Sequence, residues 1–342
     1  MRKIVWFVSV WASLSWAQPY TDMLGRLVDI NSTSKLVFLG PGALRLGVYL
    51  GLENRLVGIE KIEKDASPLS PYRTFLGQER AAKLPLIGTG GPGKMPDLEA
   101  LVTLKPDLIV TSFVDKNMID LIVAKTGIPV LALSYGASYG GNAEQLQSMK
   151  NSLLLLGKVT QSFSRAETLV AFLNEQEKKL LSLKITPKRI YIGGIGYKGA
   201  QGITSTEATY PPFEMLGLQN CIFEGSKALG HQFIDFEALL KANPEIIFLD
   251  MFGKAKVNEE YATKKALFNT LSAYQTKNVK EVLGYNFYST NIENLFVISW
   301  QIASMMGADV AIVKEASAVY KAFYGETGEA LLRKLPYGFE AL

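Results

Sequence analysis

The chain has few of the side chains that most often bind metals or catalyse reactions, with one histidine, His231, and one cysteine, Cys221. One cysteine cannot form an internal disulfide, so the fold must depend on a hydrophobic core, in which we expect Cys221. One histidine excludes metal sites built from several imidazoles. An enzyme on this chain would have to place His231 beside a serine or a carboxylate.

Long apolar runs and clusters of like charge are also missing after residue 17. No later stretch approaches the roughly 20 apolar residues of a membrane-spanning helix. The net charge of +4 is spread along the chain, without the Lys/Arg runs that bind a phosphate backbone. With 48% hydrophobic and 20% charged residues, the composition is that of a packed globular protein. We therefore expect no nucleic-acid partner.

The first 17 residues predict a cleavable secretory signal. A basic start at Arg2 and Lys3 precedes an apolar run over residues 4–14, and small residues end the segment at Ala17. The run of about eleven residues is too short to span a bilayer. No cysteine stands next to the cleavage site, which excludes a lipid anchor, so we expect a protein released into the periplasm.

Apolar runs of strand length alternate with helical stretches in the rest of the chain, which predicts parallel sheets flanked by helices. The predicted strands are residues 35–39, 56–59, 108–111, 130–134, 189–193 and 246–250. A proline motif occurs twice, at residues 105–107 and 243–245, each time between a predicted helix and a buried strand. The repeat predicts two lobes of similar α/β construction.

The two halves are joined by a helical segment that contains no Gly- or Ser-rich linker. We predict a break at Gly157 and a restart near Ser164, after which the helix braces one lobe against the other. An ordinary helical pair packed on one lobe is the alternative. The predicted divisions are a signal at 1–17, an N-terminal lobe at 18–141, the helical segment at 142–187 and a C-terminal lobe at 188–342.

Two Gly-x-Gly-x-x-Gly matches, at residues 88–93 and 194–199, lack the helix that must begin within a dinucleotide fingerprint. We therefore expect no nucleotide. Loops rich in tyrosine and glycine follow the predicted strands, where open α/β sheets bind ligands. Tyrosine and arginine have flat apolar faces with polar ends, which suit a large, rigid, partly anionic ligand in a cleft.

Six segments spread over nearly the whole chain carry a family resemblance. They are residues 22–28, 36–58, 104–109, 202–206, 210–220 and 285–294. Their order and spacing, with the secretory signal, resemble the periplasmic substrate-binding proteins of ABC importers for iron-siderophores, haem and cobalamin. The resemblance implies an α/β fold of two lobes with parallel central sheets, joined by a rigid inter-lobe helix, with a ligand cleft between the lobes.

The same resemblance implies a receptor and not an enzyme. We expect a monomer without a permanent cofactor that binds a metal chelate, first of all a ferric siderophore. Its partners would be the permease and ATPase of an ABC importer at the inner membrane. Receptors for haem, cobalamin or a nickel or cobalt chelate are the alternatives within the family, and a secreted α/β enzyme using His231 is the alternative of another class. A bare-metal receptor would need a carboxylate cluster, which the sequence does not display.

The site residues follow from the resemblance and from side-chain chemistry. The expected ligand-binding residues are Arg45, Tyr72, Arg73, Tyr135, Tyr197, His231 and Tyr288. Arginine would neutralise carboxylate or catecholate oxygens, and tyrosine would form the walls. His231 and Tyr288 could also bind the metal of the chelate, with a purely structural histidine as the alternative.

Docking on the permease would use one acidic residue from each lobe. Glu214 stands where the second-lobe glutamate is expected. In the first lobe, the helix after Gly42 lacks the usual glutamate, and Glu53 is only a distant substitute.

Overall fold

The computed structural model describes residues 18–64, 69–134, 143–284 and 286–335. The strands are β1 (Gln18–Thr21), β2 (Leu27–Ile30), β3 (Leu36–Leu39), β4 (Leu108–Ser112), β5 (Val130–Leu133), β6 (Ile190–Gly193), β7 (Ser205–Glu207), β8 (His231–Phe233), β9 (Ile246–Asp250) and β10 (Val279–Val282). The predicted signal at residues 1–17 lies outside these ranges and stays a prediction.

Helices cover both faces of the sheets and form the C-terminal part of the chain. They are α1 (Ala43–Tyr49), α2 (Lys61–Lys64), α3 (Pro71–Leu76), α4 (Gln78–Lys83), α5 (Leu98–Leu104), α6 (Lys116–Thr126), α7 (Ala143–Val159), α8 (Phe163–Leu181), α9 (Pro211–Glu214), α10 (Phe236–Ala242), α11 (Lys254–Thr263), α12 (Lys265–Phe268), α13 (Ser272–Gln275), α14 (Ile292–Met305), α15 (Ile312–Tyr324) and α16 (Gly328–Arg333). No helix in the described ranges is long and apolar enough to cross a membrane.

Two parallel sheets form the centres of the two lobes and confirm the predicted α/β fold. The first sheet has the order β3-β4-β5 and the second has the order β10-β9-β6. The register pairs Leu36 with Leu108 in the first sheet and Ile190 with Ile246 in the second. Strands β3, β4, β5, β6 and β9 are buried along their whole length, because helices cover both faces of a parallel sheet. Two antiparallel strand pairs, β1-β2 and β7-β8, were not predicted.

The predicted strand at residues 56–59 is not formed. Leu56 makes one isolated bridge to Leu36, and Ile59 makes another to Leu86. The ends of this short run therefore pair with two different neighbours, and no continuous ladder can form along it.

The repeated proline motif occupies equivalent places in the two lobes, as predicted. Helix α5 leads into β4, and helix α10 leads into β9. Each helix ends on a residue in the left-handed conformation, Lys105 at φ 48° and Asn243 at φ 40°. The proline that follows each of them cannot continue the helix, so the chain turns directly into a buried strand.

The break in the helical segment lies at residues 160–162 and not at Gly157, while the restart near Ser164 is confirmed. Helices α7 and α8 pack closely at Gly157, since a Cβ atom there would lie 2.7 Å from the Cβ of Ala166. Glycine therefore permits this packing, and it does not end α7. Helix α8 has 19 residues and a length of about 28 Å.

Helix α8 joins the two lobes. Near its start, the Arg165 guanidinium donates hydrogen bonds to the carbonyl oxygens of Tyr49 on α1 and Phe323 on α15, at 3.1 and 3.0 Å. Farther along, Gln176 accepts a hydrogen bond of 2.8 Å from the indole of Trp300 on α14. These contacts hold α8 against α1 from the N-terminal part of the chain and against α14 and α15 from the C-terminal part.

The C-terminal helices also contact the first lobe. The rings of Tyr49 and Phe323 lie 4.5 Å apart, and those of Phe75 and Tyr324 lie 5.1 Å apart. The buried Glu293 carboxylate of α14 accepts hydrogen bonds from the hydroxyls of Tyr49 and Tyr324, and burial raises its pKa. The predicted lobe boundary at residue 188 stays a prediction. The C-terminal helices were predicted as part of the C-terminal lobe, and they contact both lobes.

Candidate functional site

The loops that follow the strands of both sheets meet where the lobes face each other. On the first lobe, the loop after β3 passes directly over the end of β4. Gly40 has φ 86°, and a Cβ atom there would lie 2.3 Å from the carbonyl oxygen of Ser112. Only glycine fits this approach and this backbone conformation. The loop after β10, which approaches from the second lobe, comprises residues 286–291.

Arg45 binds this second-lobe loop to the first lobe. Its guanidinium donates hydrogen bonds to the carbonyl oxygen of Phe287 at 2.7 Å and to that of Tyr288 at 3.3 Å. A third hydrogen bond, of 3.0 Å, goes to the side-chain oxygen of Asn291. The guanidinium also lies 4.5 Å from the ring centroid of Tyr72. Arg45 has no exposed surface, and its charge interacts with the buried Glu293 carboxyl.

Arg73 and Tyr72 form a second buried group beside Arg45. The Nε atom of Arg73 lies 2.7 Å from a carboxylate oxygen of Glu63, and the hydroxyl of Tyr72 donates to the same oxygen at 2.5 Å. The Arg73 guanidinium lies 4.4 Å from the ring centroid of Phe287, across the lobe interface. Burial and the Glu63 charge raise the pKa of Tyr72, so its hydroxyl stays protonated.

Tyr288 reaches from the second lobe to two first-lobe loops. Its hydroxyl donates to Glu60 Oε2 at 3.0 Å and accepts from the backbone N–H of Gly91 at 2.8 Å. Glu60 Oε2 also accepts from the N–H of Gly40 at 3.1 Å. Burial, with the nearby Glu63 charge, raises the pKa of Glu60 to about 7 and that of Tyr288 above its ordinary value.

These contacts form an interlobe clamp, which we define as Arg45, Glu60, Glu63, Tyr72, Arg73 and Tyr288. The clamp brings together four of the predicted ligand-binding residues. The contacts described above join their polar groups to one another, to the loop at 286–291 and to the backbone of Gly40 and Gly91, while Glu63 Oε1 has no hydrogen-bond partner. Their contact with a ligand stays a prediction.

A second cluster, the aromatic patch, consists of Tyr197, His231 and Phe233. The rings of Tyr197 and His231 are stacked with centroids 4.2 Å apart, and the ring of Phe233 meets His231 edge-on at 4.7 Å. Tyr197 follows β6, whereas His231 and Phe233 lie on one face of β8. Phe233 is 58% exposed, and the other two are partly exposed. The patch therefore exposes aromatic ring surface to solvent.

The tautomer of His231 follows from its neighbour Ser205. The Ser205 hydroxyl lies 2.7 Å from the carbonyl oxygen of Ile195, which can only accept, so the hydroxyl proton points there. The 2.8 Å contact between Ser205 Oγ and His231 Nε2 then requires Nε2 to be the donor. Desolvation by burial lowers the pKa of His231 to about 4, which keeps the ring neutral at pH 7. Nδ1 therefore carries a lone pair that can accept a hydrogen bond or bind a metal.

The predicted metal pair is divided between the two clusters. His231 belongs to the aromatic patch, whereas the Tyr288 hydroxyl contacts Glu60 and Gly91 in the clamp. In the described ranges, no three His, Cys, Asp or Glu side chains are grouped closely enough to hold a metal ion. Binding of a chelated metal by His231 and Tyr288 stays a prediction, and the predicted Tyr135 lies outside the described residues.

A family model described as a periplasmic binding protein matches residues 37–282. This chain belongs to the periplasmic binding protein family. Members of the family bind transported ligands without a permanent cofactor, and they work with the permease and ATPase of ABC importers. They are substrate-binding receptors and not enzymes. A search of curated protein sequences found no match.

Solved structures agree on the fold of this periplasmic binding protein. The molybdate-binding protein MolA from Haemophilus influenzae is 19% identical with a TM-score of 0.66, and the match covers 90% of this chain and 98% of that one. A periplasmic solute binding protein from Veillonella parvula is 16% identical, with a TM-score of 0.70 and coverages of 93% and 96%. CeuE from Helicobacter pylori, solved with Ni(II) bound, is 19% identical, with a TM-score of 0.61 and coverages of 90% and 96%. At these identities the likeness extends to the two-lobed fold and no further.

The predicted docking residue lies on the surface of this periplasmic binding protein. Glu214 ends the short helix α9 and is exposed, and partial burial of its carboxyl raises its pKa. By contrast, every residue of α1 is buried, so this helix presents no side chain to a partner. The docking role of Glu214 stays a prediction.

Three further residues lie in loops and strands that follow the predicted strands, although they were not among the predicted site residues. Phe113 follows β4 with φ 57° and is 45% exposed, although bulky side chains rarely adopt this conformation. Lys198, beside Tyr197, has φ 52° and is exposed. Glu207 lies directly opposite His231 in the antiparallel pair β7-β8, is fully buried, and has no hydrogen-bond partner for either carboxyl oxygen. Position after a predicted strand placed all three residues in candidate ligand-binding segments, whereas the place of Glu207 opposite His231 required the register of β7 with β8.

Proposed function

We propose that this periplasmic binding protein is the receptor for a metal chelate, first of all a ferric siderophore, which it delivers to an ABC importer. The observation that supports the proposal is the aromatic patch. Its exposed ring surface suits the organic rings of a chelate, and Nδ1 of His231 adds one nitrogen that could bind the metal or accept a hydrogen bond. Haem, cobalamin and a nickel or cobalt chelate are the alternatives within this class.

The similar structures support a ligand that contains a metal, because they include a molybdate-binding protein, a protein with Ni(II) bound and a haem-binding protein. Among such ligands, the patch favours one with organic rings over a bare oxyanion. An oxyanion needs several convergent hydrogen-bond donors, whereas the patch presents mainly ring carbons. The arginines of the clamp are buried and already hydrogen-bonded, so they are not the first donors an entering ligand would meet.

A secreted enzyme remains the rival of another class, since the structure does place His231 beside Ser205. However, the hydrogen-bond polarity is the reverse of what a nucleophile needs. The Ser205 proton goes to the Ile195 carbonyl, and His231 donates to the serine oxygen, so the imidazole cannot act as the base. Ser205 is also only 1% exposed.

The sequence contains one further motif that would support an enzyme. Residues 136–140 match the Gly-x-Ser-x-Gly pattern of serine hydrolases after a predicted strand, and they lie outside the described residues. Assays of esterase and amidase activity, with Ser138→Ala as the control variant, test this rival directly. Turnover that is lost in Ser138→Ala or in His231→Ala would favour the enzyme over the receptor.

The receptor is tested by calorimetric titration with ferric catecholate, ferric hydroxamate, haem, cobalamin and nickel-histidine chelates, each beside its metal-free form. We expect saturable binding below micromolar for one chelate. Binding of none of them by folded protein would refute the proposal.

Two variants at His231 then distinguish the contribution of its Nδ1 nitrogen to binding from that of its ring. His231→Ala removes both, and we expect the dissociation constant to rise about tenfold, which corresponds to about 1.4 kcal/mol. His231→Phe keeps a ring for stacking on Tyr197 but has no Nδ1. An equal loss in both variants would assign the effect to the nitrogen, whereas unchanged binding in both would remove His231 from the site.

Docking through Glu214 gives a separate prediction. In Glu214→Lys we expect unchanged ligand affinity, because the residue ends α9 on the surface, and loss of the ability to stimulate the ATPase of the cognate importer. Glu167→Lys, on the exposed face of α8, is the matched charge reversal. Equal stimulation by both variants would remove Glu214 from the docking surface.

A further inference from the structure

Lys198 is a cation beside the aromatic patch. Its ammonium nitrogen lies 5.4 Å from the ring centroid of Tyr197, which itself stacks on His231. The loop that carries Lys198 is closed by a hydrogen bond of 3.0 Å from the N–H of Tyr197 to the carbonyl of Gly199. A second hydrogen bond, of 2.8 Å, joins the side chain of Gln201 to the carbonyl of Tyr197.

The backbone of Lys198 is strained, with φ 52°. A lysine in this conformation costs of order 1 kcal/mol. The hydrogen bonds of the loop hold the conformation in place. The side chain therefore leaves the loop in a direction that a relaxed backbone would not give.

Lys198 also differs from the arginines of the clamp and from Lys254. Arg45 and Arg73 are 0% and 3% exposed and lie within the clamp. Lys254, after β9, pairs with Glu281 at 2.7 Å. Lys198 is exposed, and no carboxylate of the described ranges forms an ion pair with it. The positive charge at the patch is therefore open to a ligand.

We propose that Lys198 makes the site selective for an anionic chelate, with its ammonium paired to the negative charge of the ligand while the aromatic patch contacts the organic rings of the ligand. This inference rests on the proposed function and adds to it the charge of the ligand. The ammonium contributes through Coulomb attraction, which salt screens at an exposed position. A neutral chelate of similar size gains nothing from it.

The test compares a trianionic ferric tris-catecholate with a neutral ferric tris-hydroxamate. Dissociation constants are measured by calorimetry at low salt and at about 0.5 M salt, where the Debye length falls to a few ångströms. The variants are Lys198→Gln, which removes the charge, and Lys198→Arg, which keeps it. Lys256→Gln, at an exposed lysine of α11, is the control for net charge.

We expect Lys198→Gln to weaken binding of the trianionic chelate about fivefold at low salt and to leave the neutral chelate unchanged. Lys198→Arg and Lys256→Gln should stay within twofold of the wild type, and high salt should remove the difference. Equal weakening for both chelates, or no weakening for either, would overturn the inference. So would wild-type protein that binds only the neutral chelate, although the proposed function would then stand. Wild-type protein that binds neither these two nor any other metal chelate would instead refute the proposed function.

Discussion

Replacing Arg73 by methionine should lower the free energy of unfolding by about 3–5 kcal/mol. The pair of Arg73 and Glu63 is buried, with side-chain exposures of 2% and 1% and a separation of 2.7 Å. Removing the guanidinium leaves the Glu63 carboxylate without its counter-charge in a site that water does not reach. The Tyr72 hydroxyl, 2.5 Å away, is a neutral donor and cannot replace the lost charge.

The double variant Glu63→Gln with Arg73→Met isolates the cause. Glutamine keeps an acceptor for the Tyr72 hydroxyl but carries no charge, so most of the lost stability should return. Urea unfolding followed by circular dichroism measures both variants. Lys83→Met, which breaks the exposed pair with Glu79, is the control and should change the midpoint little. If the double variant were as unstable as the single one, lost packing and not an unpaired charge would explain the effect.

The same double variant separates folding from binding. Arg73 was predicted to neutralise an anionic ligand, whereas the structure pairs it with Glu63 and places it over Phe287. With stability restored in the double variant, ligand affinity can be measured on folded protein. Unchanged affinity would leave Arg73 with a purely structural role in the clamp.

The sheets could be predicted from the sequence because their signals are local. Residues 108–110 and 246–249 are continuous apolar runs after a helix-ending proline motif, and this combination is typical of a buried parallel strand. The strand β10 escaped prediction because only Val282 of its four residues is buried. Its ladder to β9 forms at a sheet edge, where a hydrophobic pattern is not required.

The clamp could not be predicted, because its contacts join residues that are far apart in the chain. Arg45 and Phe287 are separated by 242 positions, and Glu60 and Tyr288 by 228. A sequence pattern shows that tyrosine and arginine are present in loops, but not whether they face a ligand or one another. The aromatic patch could not be predicted either. Stacking of Tyr197 on His231 depends on the pairing of β7 with β8, whose strands have only three residues each.

The clamp also gives the protein a pH dependence. Replacing Glu60 by glutamine should stabilise the folded state above neutral pH and have little effect near pH 4. Burial and the Glu63 charge raise the pKa of Glu60 from 4.5 to about 7. Between these values the folded state binds more protons than the unfolded state, so the stability of the wild type falls as the pH rises through this window.

The expected size follows from the shift of the Glu60 pKa. Above pH 7 the carboxyl is ionised in both states, and the accumulated loss is about 3 kcal/mol, at about 1.4 kcal/mol for each unit of pKa. Glutamine cannot ionise, yet its side-chain oxygen can still accept from the Gly40 N–H and the Tyr288 hydroxyl. The stability difference between Glu60→Gln and the wild type should therefore grow by about 3 kcal/mol from pH 4 to pH 8.

Urea unfolding across this range, with Glu167→Gln as the exposed control on α8, measures that growth. A constant difference between Glu60→Gln and the wild type would show that Glu60 does not titrate in this window. A difference that grows in both variants would assign the effect to net charge. Growth in Glu60→Gln alone would locate the titration in the clamp. Because Tyr288 reaches Glu60 from the other lobe, the contact between the lobes would then depend on the protonation of this carboxyl.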